Sequence, residues 1–281
     1  MDLLARVEAG GLIDPPRPLV AMLSGGRDSV CMLDLAVRAR GAEAVTALHV
    51  DYGLRPGSHD DADFCASLCE RLGVELATER PVRPETSGNL QAWARDVRYA
   101  AAARLAEARD ATIVTGHTAD DQVETILYRL ASSPSRRALL GMKERDGRLA
   151  RPLLGSTRAE VTAYDEERGL AWREDPSNQE DGYARNRVRH GLVPALEAIH
   201  PAAAQNVLRT AALLRDEAEV LDALVAAELD RSGAAPRAAS PTPASSNWHR
   251  RSAGSSSSGS PTPPPGGRSP APPASPTRSR A

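Results

Sequence analysis

Short apolar runs alternate with amphipathic stretches over the first 130 residues of the chain. The runs that predict strands lie at residues 19–23, 45–50, 74–78 and 112–115. The stretches with helical spacing lie at residues 28–40, 59–72, 90–108 and 120–130. Strands that alternate with helices in this way form right-handed crossovers and pair in parallel, with helices on both faces. The pattern therefore predicts the α/β class with a doubly wound parallel sheet.

The pattern changes after residue 152. Helical spacing recurs at residues 158–168 and 201–229, with a polar connector between them, and we interpret the apolar stripe of the second helix as core. We therefore predict a first domain over residues 1–152 and a small helical appendage over residues 153–232.

The last 49 residues, 233–281, differ in composition from the rest of the chain. They contain no Ile, Leu, Val, Met, Phe or Tyr and no Asp, Glu or Lys. Because almost no apolar surface offsets the roughly 1–2 kcal/mol needed to order each residue, we predict a disordered tail. Its six arginines give it a charge of +6, so residues 1–232 carry −8 of the net −2. Two interpretations stay open, a basic RNA-binding arm and an out-of-frame or degenerate end.

Cysteine content and hydropathy narrow the class of protein. The three cysteines, Cys31, Cys65 and Cys69, form neither an even disulfide set nor a Cys-x2-Cys metal motif, which favours a reducing compartment. The sequence has no run of about 18 apolar residues and no signal-like leader. We therefore predict a cytoplasmic protein without a membrane span.

A glycine-rich turn follows the first predicted strand and leads into a helix. The turn consists of Ser24, Gly25, Gly26, Arg27, Asp28 and Ser29. A turn of this kind presents backbone N–H groups, a helix N-terminus and two serine hydroxyls to an anion. It differs from the common Gly-x4-Gly-Lys nucleotide loop because no lysine follows the glycines. We interpret it as a phosphate site of ATP, with Asp28 placed to hold Mg²⁺.

Polar side chains also follow the second and fourth predicted strands. Both positions lie at the carboxyl edge of the sheet, where open α/β sheets bind ligands. We assign His49, Arg55 and His117 to ATP binding at this edge. For Arg55 the alternative is a surface ion pair, and for His117 the alternatives are proton transfer and a packed loop position.

Three carboxylates crowd the start of the helix predicted over residues 120–130. Asp120, Asp121 and Glu124 have the spacing i, i+1 and i+4, which places Asp120 and Glu124 on one face. They suit either a cationic substrate or an Mg²⁺ ion that Asp121 shares with Asp28. The helix dipole also favours carboxylates at this end, so a structural role stays open.

Arg95 and Arg98 share one face of the helix predicted over residues 90–108, close to Trp93 and Tyr99. Arginines beside aromatic rings predict contact with RNA or nucleotide, and a solvated arginine face is the alternative.

Taken in chain order, these blocks resemble those of one enzyme family. The turn over residues 24–29 is similar to the PP-loop of the N-type ATP pyrophosphatases, which implies an adenine nucleotide α-hydrolase-like fold. Three further blocks, over residues 120–125, 174–178 and 185–189, resemble the tRNA(Ile)-lysidine synthase family in particular. The resemblance covers about residues 18–230.

The resemblance implies a two-step ligation with ATP and Mg²⁺. ATP adenylates the C2 oxygen of the wobble cytidine in an isoleucine tRNA with a CAU anticodon, and pyrophosphate is released. The ε-amine of free lysine then attacks C2, AMP leaves and lysidine remains. The residues implied in catalysis are Asp28, Asp120, Asp121 and Glu124. The residues implied in tRNA binding are Arg95, Arg98, Arg185, Arg187 and Arg189.

Two features depart from the family pattern. The loop over residues 132–142 lacks the usual Arg-Gly-x-Gly-type segment and keeps only Gly141, and the tail replaces any C-terminal tRNA-recognition domain. A catalytically impaired tRNA-binding remnant and another PP-loop tRNA-modifying enzyme are therefore the alternatives. A thiolase of the latter class would carry Cys-x2-Cys pairs. The oligomeric state stays open, a homodimer included.

Overall fold

The computed structural model describes residues 2–14, 16–53, 57–83, 90–174 and 184–232. Arg55, residues 175–178 of the family blocks and the tail predicted over residues 233–281 lie outside the described residues.

One sheet forms the centre of the described structure. Its strands are β1 (Leu19–Met22), β2 (Val45–Val50), β3 (Glu75–Glu79), β4 (Thr112–Val114), β5 (Arg145–Asp146) and β6 (Leu149–Ala150). Their order across the sheet is β3-β2-β1-β4-β6-β5, and each neighbouring pair is parallel except β5 with β6. β1, β2 and β4 are buried along their whole length, as expected for central strands of a parallel sheet that is covered on both faces.

The described helices are α1 (Leu3–Ala9), α2 (Arg27–Arg40), α3 (Ser58–Leu72), α4 (Leu90–Ala108), α5 (Ala119–Ser132), α6 (Arg158–Glu167), α7 (Ala184–Arg187), α8 (Val193–Ile199) and α9 (Ala203–Ser232). Short 3₁₀ turns lie at Ala42–Ala44 and Arg136–Leu140. A π-helical turn over Val188–Leu192 joins α7 to α8.

The strand order reverses at β1. Val20 of β1 pairs with Thr46 of β2 on one side and with Ile113 of β4 on the other. The loops that follow β1 and β4 therefore start side by side at the carboxyl edge of the sheet. Open α/β sheets bind their ligands in the crevice above such a point.

Helices cover both faces of the sheet, as predicted. On one face α2 packs against α1 and α6, and Leu33 and Leu153 belong to the same core cluster. On the other face Ala102 and Ala106 of α4 pack in a cluster with Val20. The prediction of a doubly wound parallel sheet is confirmed.

All the predicted strands and helices are present, and β2 has the predicted bounds. The pattern did not predict α1, the β5–β6 pair or the α7–α8 segment, because these elements have two to seven residues each and show little periodicity. α6 packs against α2 of the sheet domain. The proposed domain boundary after residue 152 stays a prediction.

The apolar stripe of α9 is only partly core, which corrects the prediction. Its first half supplies Val207 and Leu208 to a cluster with Val123 of α5. In its second half Leu221 is 47 % exposed and Val225 is 57 % exposed. The described members of that cluster on α9 all lie in its first half.

None of the helices in the described ranges is long and apolar enough to span a membrane.

A buried carboxyl group lies where α2 and α6 pack together. Asp165 is 0 % exposed, and among the described residues neither of its carboxylate oxygens has a hydrogen-bond partner. Burial raises the pKa of Asp165 to about 7, and the nearby Cys31 thiol, a weak donor, opposes the rise. Asp34, also buried, instead accepts a hydrogen bond from the Tyr164 hydroxyl (2.5 Å). The two helices therefore bury one satisfied and one unsatisfied carboxyl group.

We expect Asp165→Asn to stabilise the protein at pH 8.5. The folded state binds the Asp165 proton more tightly than the unfolded chain does, so this group lowers stability as the pH rises from about 4 towards 7. The variant removes that loss, and its free energy of unfolding should exceed the wild type's by on the order of 1–4 kcal/mol above pH 7. Urea unfolding at several pH values measures the difference, which should disappear near pH 4.

Asp34→Asn is the matched control on α2. We expect it to destabilise the protein across the pH range, because a hydrogen-bonded carboxylate is lost. A difference between wild type and Asp165→Asn that stays constant from pH 5 to pH 8.5 would contradict the raised pKa.

Candidate active site

The loop between β1 and α2 is held by its own serines. Gly25 has φ of +82°, a left-handed conformation that favours glycine. The Ser29 hydroxyl accepts a hydrogen bond from the Ser24 N–H (3.1 Å) and donates one to the Gly26 carbonyl oxygen (2.7 Å). The N-cap residue of α2 is Gly26, which has no side chain to bond to the helix. No capping side chain therefore competes with a ligand for the first N–H groups of α2.

Close backbone contacts fix the position of this loop. A Cβ atom on Gly116, in the loop after β4, would lie 2.2 Å from the Asp28 carbonyl oxygen, so only glycine fits there. The Arg173 N–H donates a hydrogen bond to the Gly25 carbonyl oxygen (2.9 Å). The sequence interpretation lacks Gly116 as a site residue, although a glycine shortly after a strand at the ligand edge is a signal for it.

Asp28 lies in the first turn of α2. Its Oδ1 accepts a hydrogen bond from Arg27 Nε (3.1 Å). Burial raises the pKa of the Asp28 carboxyl, the charge of Asp121 raises it further, and Arg27 opposes both. A divalent cation beside Asp28 would relieve this repulsion, so carboxylate chemistry at this position fits Mg²⁺.

Asp120 and Asp121 both act at helix N-termini. Asp121 forms a capping box with Thr118 at the start of α5. Asp120 accepts a hydrogen bond from the backbone N–H of Arg158 (2.7 Å), at the start of α6. Both carboxylates therefore have structural partners. This agrees with the structural role that the sequence analysis left open for them.

Glu124 is the most deeply buried acid of the group, with its side chain 3 % exposed. Its carboxylate accepts hydrogen bonds from Arg185 Nε (2.6 Å) and Arg158 Nη2 (3.3 Å), and Arg189 Nε lies 4.0 Å away. Arg185 Nη2 also donates to Asp121 Oδ1 (2.5 Å). One guanidinium thus bridges two of the predicted catalytic carboxylates.

Together these side chains form an ion-pair network of three acids and three arginines, and their formal charges cancel. Its members are Asp120, Asp121, Glu124, Arg158, Arg185 and Arg189. Arg158 is the member that the sequence interpretation lacks. The predicted metal ligand Asp121 would have to exchange an arginine for the metal, whereas Asp28 has only to move from its neighbour Arg27.

Within the described ranges, no three His, Cys, Asp or Glu side chains form a metal site by themselves. An Mg²⁺ ion at Asp28 would therefore take further oxygen ligands from phosphate, as is common for this ion.

The two predicted histidines have different environments. His117 Nδ1 lies 2.7 Å from the Thr115 hydroxyl oxygen, and the imidazole lines the cleft. Burial lowers the pKa of His117, so its ring is neutral at pH 7. His49 is buried under the loop, with Nδ1 3.0 Å from the Leu23 carbonyl oxygen and 3.4 Å from Cys65 Sγ. Its assignment to ATP stays a prediction.

A cleft of about 2330 Å³ brings most of the predicted residues together. The predicted residues that line it are Ser24, Gly26, Arg27, Asp28, Ser29, Arg95, Arg98, His117, Asp121, Glu124, Arg185 and Arg189. Gly25, His49, Asp120 and Arg187 do not line it, and Arg187 is exposed.

The loop over residues 133–142 borders the cleft and is anchored to α5. The Gln122 side chain accepts a hydrogen bond from the Met142 N–H (2.7 Å) and donates one to the Met142 carbonyl oxygen (2.9 Å). Gly141, the one family glycine retained, has φ of +70°, and a Cβ there would lie 2.6 Å from Gln122 Oε1. The retained glycine is therefore at the position where the loop requires one.

Comparison with known proteins agrees with this geometry. Residues 7–196 match a family model described as a PP-loop domain. The chain is 43 % identical over 234 residues to a tRNA(Ile)-lysidine synthase of Thermus thermophilus, covering 82 % of this chain and 45 % of the relative. It is 38 % identical to that of Thermobifida fusca, covering 78 % of this chain and 67 % of the relative.

A solved structure has the same fold. The U34-tRNA thiolase NcsA of Methanococcus maripaludis superimposes with a TM-score of 0.64 at 19 % identity, over 76 % of this chain and 78 % of that one. At this identity the likeness concerns the fold alone.

The chain spans about half the length of several curated relatives that it matches, 45 % for Thermus thermophilus and 48 % for Pseudomonas fluorescens. The part that matches includes the PP-loop, the acid cluster of α5 and the arginines of α7. The chain belongs to the tRNA(Ile)-lysidine synthase family, through its PP-loop domain.

Proposed function

We propose that this protein ligates free lysine to C2 of the wobble cytidine in an isoleucine tRNA with a CAU anticodon. The reaction consumes ATP with Mg²⁺ and gives lysidine, AMP and pyrophosphate. One observation carries the proposal: the PP-loop, the acid cluster with Asp121 and Glu124, and the arginines of α4 all line the same cleft. A two-step ligation needs these three functions within reach of one base.

In the first step the cytidine O2 attacks the α-phosphorus of ATP and pyrophosphate leaves. The first N–H groups of α2 and the hydroxyls of Ser24 and Ser29 are suited to bind that leaving group. Asp28 is suited to hold Mg²⁺, which when bound supplies positive charge beside the phosphates.

In the second step the lysine ε-amine attacks C2 and AMP leaves. Asp121 and Glu124 offer an anionic surface for the other, charged amine of lysine, which would replace Arg185 as their partner. Neutral His117 can accept a hydrogen bond at the same wall of the cleft. The low pKa makes it a weak base, so we assign it a contact with the substrates.

Two alternatives remain distinct from this proposal. A thiolase requires reactive sulfur, but burial raises the pKa of Cys65 to about 12 and of Cys69 to about 11, and Cys31 is also buried.

A catalytically impaired tRNA-binding remnant would keep the fold and bind tRNA without ligation. Incorporation of labelled lysine into the CAU isoleucine tRNA separates that remnant from a ligase.

We expect Asp28→Ala to lower lysine incorporation by at least about 100-fold, because pyrophosphate would lose a stabilised position in the transition state. The free protein should keep its thermal stability, since Asp28 is repelled by Asp121. Single-turnover incorporation of labelled lysine with ATP and Mg²⁺ measures the effect. Asp63→Asn, an exposed position on α3, is the control and should keep full activity. An active Asp28→Ala protein would show that the metal assignment is wrong.

We expect Arg185→Gln to destabilise the protein by about 1–3 kcal/mol, because buried Glu124 loses its nearest cation while Arg158 remains. Millimolar free lysine should raise the Tm of the variant more than that of the wild type, because the vacated acids can then bind the ligand. Differential scanning calorimetry with and without lysine measures both effects.

Arg209→Gln on the exposed side of α9 serves as the control and should change stability by less than about 0.5 kcal/mol. If lysine shifts the Tm of Arg185→Gln no more than that of this control, the acid cluster has a structural role and does not bind lysine.

A further inference from the structure

Four arginines outside the ion-pair network line one wall of the cleft. Arg95 and Arg98 come from α4, Arg129 from the last turns of α5, and Arg151 follows β6 directly. Sequence reasoning connects only the first two as a pair, because Arg129 and Arg151 are distant from them in the chain. The fold brings all four to one place.

Two of these side chains, Arg95 and Arg129, are repelled by other members of the group. Burial lowers the pKa of Arg129, and the charges of Arg95 and Arg151 lower it further. Burial also lowers the pKa of Arg95, to which the charges of Arg98 and Arg151 add. A bound anion would lower this repulsion.

Hydrogen bonds to backbone carbonyl oxygens hold two of the guanidinium groups in position. Arg129 Nη1 donates to the Gly141 carbonyl oxygen (2.8 Å), and Arg151 Nη1 donates to the Lys143 carbonyl oxygen (2.5 Å). Other donors in the wall are unsatisfied. Arg98 Nε and Arg151 Nε are buried without a hydrogen-bond partner among the described residues, and Arg151 is only 7 % exposed.

We propose that Arg95, Arg98, Arg129 and Arg151 form a binding site for a backbone phosphate of the tRNA strand beside the base that is modified. The inference rests on the proposed function and deepens it. Guanidinium groups are planar, doubly donating ligands for phosphate oxygens, and one phosphodiester would relieve the mutual repulsion of the cluster.

Two observations favour an RNA phosphate over a phosphate of ATP. The PP-loop already provides an anion site for ATP at the N-terminus of α2. Next to the arginine wall, Tyr52 lines the cleft and meets Trp93 of α4 edge to face, with ring centroids 5.7 Å apart. Both rings are half-buried, and arginines together with aromatic rings are a combination that binds single-stranded nucleotides.

The test is Arg98→Gln, compared with Arg104→Gln on the same helix. Arg104 is exposed and pairs with Glu79 (2.8 Å), so it matches Arg98 in residue type and element but lies outside the cleft. We expect Arg98→Gln to weaken binding of the isoleucine tRNA transcript about 10-fold and to lower the salt slope of log K by about 1. Affinity for ATP should be unchanged, and Arg104→Gln should match the wild type in both.

Thermal stability gives an independent readout. Because Arg98 adds to the repulsion in the wall and leaves a donor unsatisfied, Arg98→Gln should raise the Tm of the free protein by about 2–4 °C. Arg98→Lys keeps the charge but not the planar fork, so it should retain the salt slope while losing part of the affinity.

Four results would overturn the inference. Three concern Arg98→Gln: unchanged tRNA affinity, an equal loss of ATP affinity, or a lower Tm with weaker binding, which would assign Arg98 to the fold. Wild-type protein that does not bind the tRNA would overturn it as well. Binding is measured without lysine, so a protein that binds as expected but incorporates no lysine contradicts the proposed function and leaves the phosphate site standing.

Discussion

The contact between Gly116 and the carbonyl oxygen of Asp28 is the constraint on which the site depends. A Cβ atom at residue 116 would lie 2.2 Å from that oxygen, so the loop after β4 can touch the first turn of α2 only through glycine. Because β1 and β4 are parallel neighbours where the strand order reverses, this contact joins the PP-loop to His117 and the start of α5. Two segments about 90 residues apart thereby form one wall of the cleft.

Charge divides the rest of the cleft into two parts. Near α5 the formal charges of the acids and arginines balance, and buried Glu124 forms ion pairs with Arg158 and Arg185. In the arginine wall, burial and the charges of neighbouring arginines lower the pKa values of Arg95 and Arg129. The balanced network fixes the geometry of the site, whereas an anion bound at the arginine wall would lower the repulsion there.

Much of the fold could be predicted from the sequence, because local patterns encode it. β2 is a buried six-residue run and α5 has a marked apolar face, so both are evident from periodicity. The site was predictable where residues adjoin in the chain, as in the loop from Ser24 to Ser29. The site was harder to predict where one side chain has two roles. Asp121 is a candidate ligand by its residue type, but its contacts make it a capping residue of α5.

The sequence by itself determined the class of fold, the edge of the sheet where chemistry is located and the family, because strand–helix alternation and short contiguous motifs are local properties of the chain. Only the tertiary structure decided which arginines neutralise Asp121 and Glu124, that Arg129 and Arg151 join Arg95 and Arg98, and that the second half of α9 stays exposed. These outcomes depend on distances between segments far apart in the chain, and burial and Coulomb interactions are functions of those distances.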